Sequence, residues 1–148
     1  MKRIALLTAI LLLFSLCLSG CQTNRLTMIP SDVSKIEDFK CVVCIGETEE
    51  FVVEGEQAKN LYQYIYDTAH RSEQTDALLA KSSVDYLTDY IELSFQTDDP
   101  VAFYGVFDVF PDDYMIFVPS ISMSAMDYYL SPAGTYQAVE EMLRDMPR

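Results

Sequence analysis

Three apolar runs, residues 86–95, 101–110 and 114–118, follow one another across two short polar turns, 96–100 and 111–113. Runs this close in sequence can pair only antiparallel, because a parallel connection needs a crossover of a dozen or more residues. The stretch therefore predicts a β-meander. Along the middle run, Val101, Phe103, Phe107 and Val109 fall on one face, and Tyr104, Val106 and Phe110 on the other. A strand apolar on both sides belongs in the interior of a sheet with cover on both faces.

The flanking sequence supplies the rest of the fold. Residues 39–45 alternate, with Phe39, Cys41, Val43 and Ile45 on one side and Lys40, Val42 and Cys44 on the other. A Gly46-containing turn and the run Phe51-Val52-Val53 complete a hairpin signature. From residue 56 the period changes. Ala58, Leu61, Ile65 and Ala69 form one helical stripe, flanked by Tyr62 and Tyr66, with Glu56 in the first turn and His70-Arg71 at the end, as the helix dipole favours. Residues 71–83 read as loop, with one helical turn conceivable at 76–81, and residues 120–125 are ambiguous. Asp127 to Leu130 reads as a last short strand. Ser131-Pro132 is an N-cap followed by proline, and Tyr136, Val139, Leu143 and Met146 mark a closing helix. The expectation is an α+β domain: an antiparallel sheet of five to six strands with two helices on one face.

The first 21 residues carry a different kind of information. Lys2 and Arg3 precede an apolar run, residues 4–18, which as a helix spans about 22 Å. A bilayer core is about 30 Å thick, so the run suits a secretory h-region better than a transmembrane helix. It ends in Leu18-Ser19-Gly20-Cys21. This tetrapeptide resembles the lipobox of bacterial lipoproteins, position by position. The resemblance implies a signal peptide over residues 1–20, cleavage before Cys21, and a diacylglycerol on the Cys21 sulfur. Two acyl chains make a stable anchor where one does not. The expected location is the extracytoplasmic side of the cell membrane, with residues 21–32 as a tether and residues 33–148 as the domain. The whole resembles the small single-domain lipoproteins of Gram-positive bacteria, and that resemblance carries no activity.

Without residues 1–20 the chain holds eight basic residues against 23 acidic ones. Such a balance excludes nucleic-acid binding, which rests on neutralised phosphates, and favours a solvated, self-repelling surface. Cys41-Val42-Val43-Cys44 invites a redox reading. A strand, however, sends residues i and i+3 to opposite faces about 10 Å apart, beyond disulfide reach. The two thiols are expected to be free, one in the core and the other outward or under a helix. His70 is the single histidine and reads as a helix-end cap. No catalytic, zinc or phosphate-loop motif occurs, and nothing requires a cofactor. Asp98-Asp99 and Asp112-Asp113 read as turn formers at opposite ends of one strand, and Met123 and Met126 as core filling.

Two functional expectations follow. The first is a non-enzymatic module that binds another envelope protein or peptide, by an exposed sheet edge or by Tyr64, Tyr128 and Tyr129. The second is a sensor of a ligand or calcium ion that uses the acidic surface.

Overall fold

The computed structural model describes residues 25–46, 49–75, 90–99, 102–119 and 126–146. The signal segment, Cys21, Met123 and the stretches 76–81 and 120–125 lie outside them.

The chain opens with a 3₁₀ turn, Arg25–Met28, and continues into β1 (Lys40–Ile45), β2 (Glu49–Glu54), α1 (Gly55–Arg71) and β3 (Glu73–Thr75). β4 (Ile91–Gln96), β5 (Phe103–Phe110), β6 (Tyr114–Val118), β7 (Asp127–Leu130) and α2 (Thr135–Arg144) complete it. The strands form one sheet of seven in the order β2-β1-β4-β5-β6-β7-β3, every pairing antiparallel. The α+β class is as expected, with more strands than the sequence predicted. The extra one, β3, falls where a loop was expected. Three residues are too few to show a period, and Glu73–Thr75 is extended through its pairing with β7.

β5 lies fourth of seven, as its two apolar faces require. Both helices cover the same face. There Cys41, Val43, Ile91, Leu93, Phe95, Phe107, Val109 and Phe117, each completely buried, meet Ala58, Leu61, Ile65, Val139 and Leu143. Burying large side chains of this kind contributes about 1.5–3 kcal/mol each, which is why the helical stripe and the strand alternation point to one core.

Three local features depart from the periodic reading. First, the register between β4 and β5 shifts at Ser94/Gln96. Gly105, at φ 101°, takes up the extra residue, so Tyr104 turns toward the core and its ring meets Phe39 at 5.4 Å. Strict alternation had put Tyr104 on the other face. Second, α2 starts at Thr135, not at Ser131-Pro132. Gly134, at φ 85°, occupies the N-cap position. Its N–H donates to Asp113 Oδ1 at 2.8 Å, and the Ser131 N–H donates to the Asp113 carbonyl at 2.9 Å. The acidic turn thus holds the entry to the last helix.

Third, the described part of the expected tether, residues 25–32, is not free and leads with Val33 into the core. Leu26 and Val33 are 1% exposed and Ile29 7%, all within the main core. Arg25 fixes the start of the segment: its guanidinium donates to Asp127 Oδ1 at 2.9 Å and its backbone N–H to Asp127 Oδ2 at 3.1 Å. Further on, the Tyr62 hydroxyl donates to the Pro30 carbonyl at 2.6 Å, and Lys59 to the Ser34 carbonyl at 3.0 Å. The described part of the expected tether, residues 25–32, therefore packs with the domain.

A Cβ added at Gly105 would lie 2.5 Å from Phe117 Cε2, at a φ that side chains rarely adopt. Gly105→Ala is expected to cost about 2–4 kcal/mol through strain and overpacking, read by urea denaturation; a cost below about 1 kcal/mol would refute this role for the bulge. Arg25→Ala should cost about 2–3 kcal/mol, because Asp127 stays buried after losing its cation. Arg25→Lys should recover part of the loss in the same measurement.

Candidate binding surface

Among the described residues, no helix lies on the second face of the sheet. Register places Glu50, Cys44, Glu92, Asp108, Ile116 and Tyr128 in one row across it, from β2 to β7. Neighbouring strands are about 4.8 Å apart, so the row is polar at the β2 side and apolar at the β7 side.

The apolar side is a second, smaller core. Phe110, Tyr114 and Ile116 are at most 4% exposed, with Tyr90, Val118, Met126 and Tyr128 packed against them. Four rings follow one another here: Tyr90 to Phe110 at 5.7 Å, Phe110 to Tyr114 at 5.8 Å and Tyr114 to Tyr128 at 6.2 Å. Met126 accepts from the Tyr128 hydroxyl through its sulfur at 3.7 Å, a packing role as expected. Leu130, 49% exposed, borders the patch.

The polar side is built around two carboxylates. Glu92 and Asp108 are direct cross-strand partners, where like charges destabilise a pair. Burial, aided by the charge of Glu92, pushes the Asp108 carboxyl up to about 7. Its Oδ1 is buried with no hydrogen-bond partner.

The two thiols part company as the strand geometry requires. Cys41 is fully buried on the helix side, and burial drives its thiol well above the usual range. Cys44 lies half-buried on the second face beside Glu50, with its thiol also raised, by burial first and then by Glu92 and Glu50. Both are free. Low thiol pKa is what makes cysteine nucleophilic, so this environment works against redox chemistry. His70 is exposed at the end of α1, stacked on Tyr66 at 6.3 Å.

The tyrosines expected to form one partner face are dispersed. Tyr129 is 1% exposed in the main core and unavailable to a partner. Tyr64 packs from α1 onto the helix-covered side and Tyr128 lies on the opposite side. The sequence periodicity of β7 does show that neighbouring Tyr128 and Tyr129 must diverge, and grouping them overlooked it.

What sequence reasoning located only in general terms is the sheet edge. Among the described residues β2 pairs with β1 alone, so one row of its N–H and C=O groups lacks a strand partner. Glu49, Glu50 and Glu54 lie along it, and Val52 is 47% exposed. Where β2 runs into α1, an open cleft of about 390 Å³ is lined by Asp38, Phe39, Lys40, Glu54, Gly55 and Asp98. Its ammonium, Lys40, is engaged with Asp98, and that hydrogen bond holds it above its ordinary value. Among the described residues no group of three or more His, Cys, Asp or Glu could hold a metal ion, and no helix is long and apolar enough to cross a membrane.

The acid pair makes stability depend on pH. The unfolded chain releases the Asp108 proton near 3.8 and the folded chain near 7, so the folded state binds more protons in between. This contribution is complete below about pH 4, fades as pH rises and levels off above 7; its full size is on the order of 4 kcal/mol. Asp108→Asn should match the parent at pH 4 and exceed it at pH 8 in urea denaturation. A variant weaker than the parent at pH 8 would contradict the assignment.

No family model matches the sequence, no curated protein matches it, and no solved structure matches its fold.

Proposed function

We propose that this protein is a lipid-anchored, extracytoplasmic, non-enzymatic binding module, and that β2 is the edge through which it takes an extended segment of another envelope protein. The anchor part rests on Leu18-Ser19-Gly20-Cys21 behind its short apolar run. The binding part rests on one observation above all. Among the described residues β2 is a six-residue edge strand without proline or lysine and with a half-exposed valine at its centre. Edges open to solvent are usually blunted by such residues or by bulges, because an unblunted edge templates another strand. Its glutamates favour a basic segment as the added strand. The raised thiols, the peripheral His70 and the shallow acidic cleft give no converging nucleophile, base and orienting group, which supports a binding role over a catalytic one.

The experiment has two parts. Metabolic labelling with a palmitate analogue should mark the protein and fail on Cys21→Ala. A photo-crosslinking residue at position 52, in intact membranes, should capture one stoichiometric envelope protein, whereas the same residue at exposed position 67 on α1 should not. Val52→Pro, which bars strand addition at this edge, should abolish the capture. Capture that survives Val52→Pro would exclude β2 as the binding edge.

A further inference from the structure

If Cys21 carries the lipid, the fold also fixes how the domain stands on the membrane. Only residues 22–24 separate Cys21 from Arg25, and four fully extended steps reach at most about 14 Å. Arg25 is held at Asp127, the first residue of β7. Register then identifies which end of the sheet this is. β7 begins beside the end of β6, since Asp127 pairs with Phe117. At that same end β5 begins, β4 ends at Gln96, β1 begins at Lys40 and β2 ends at Glu54. The opposite end carries Gly46, Tyr90, the turn at Pro111-Asp112-Asp113 and Leu130.

The segment nearest the anchor, residues 25–40, holds three basic and three acidic residues, and Glu54 and Asp98 lie at the same end of the sheet beside Lys40. The segment's 3₁₀ turn also presents Met28, 72% exposed, the most exposed of the large apolar side chains among the described residues.

We infer that the Arg25–Met28 turn faces the phospholipid headgroups, with the Arg25–Asp127 clamp holding the domain upright and the Tyr90–Asp112 end pointing away from the bilayer. This rests on the lipid-anchor reading above. The two ends are separated by the length of a six-residue strand, about 20 Å, enough to distinguish by spin labelling.

The test uses the lipidated protein in vesicles of phosphatidylethanolamine and phosphatidylglycerol that contain a nickel-chelating lipid. Nitroxides are placed singly by Met28→Cys or Asp112→Cys in a Cys44→Ser background; Cys41 is too buried to label. The Met28→Cys nitroxide should be relaxed several-fold more strongly by headgroup nickel than the Asp112→Cys nitroxide. Inserting twenty Gly/Ser residues between Asn24 and Arg25 should erase that difference while the protein still floats with the vesicles. Equal relaxation of both labels without the insertion, stronger relaxation at position 112, or a difference that survives the insertion would overturn the clamp as the orienting device. Failure of the parent protein to float with vesicles would instead strike the lipid-anchor reading, and the orientation with it.

Discussion

The structure depends on one ion pair between residues 102 positions apart. The Asp127 side chain is 5% exposed on a four-residue strand near the edge of the sheet. A carboxylate in such a place costs several kcal/mol unless it is paired and hydrogen-bonded. Arg25 meets that requirement with its guanidinium and its backbone N–H together. The consequence spreads in both directions. β7 is held in position to pair with β6 and to carry β3 on its other side. The chain after Arg25 is led under α1, so that Leu26, Ile29 and Val33 fill the core and Phe39 enters β1.

Phe39 shows why that routing matters. Its ring lies against Tyr62 and Tyr104 edge-to-face and against Phe95 stacked, with centroids 5.4–6.0 Å away, and aromatic pairs of these kinds add about 0.5–1.5 kcal/mol beyond burial. Tyr62 in turn donates to the Pro30 carbonyl. The part of the expected tether that the structure describes, from Arg25 onward, thus packs against the aromatic core.

The features legible in the sequence are those encoded by a local period. The stripe Ala58, Leu61, Ile65 and Ala69 lies on the buried side of α1, and Cys41 and Val43 point away from Cys44. The central place of β5 followed from its two apolar faces. What the sequence concealed depends on partners far along the chain. β3 is extended because β7 is beside it, α2 starts at Thr135 because Asp113 holds Gly134 and Ser131, and Tyr104 changes sides because Gly105 absorbs a residue under Phe117. The polar look of Gln22 to Ser31 hid two buried aliphatic residues, since Leu26 and Ile29 are spaced for a 3₁₀ turn against a core, not for a strand or a long helix. The candidate edge was legible only as a hairpin. That β2 is its outer member depends on β4 taking the other side of β1.

The acidity of that edge bears on a problem every open strand poses. An edge that can accept a foreign strand can also accept its own copy. Two β2 strands meeting antiparallel about Val52 would set Glu50 of each copy opposite Glu54 of the other, on one face of the joined sheet. Like charges directly opposed across a strand pair are destabilising, and neither edge offers a lysine to offset them. A strand with lysine or arginine at the corresponding positions meets the reverse situation. On the proposed reading of β2 as a binding edge, the same glutamates would discriminate between self and a basic partner without blocking the backbone.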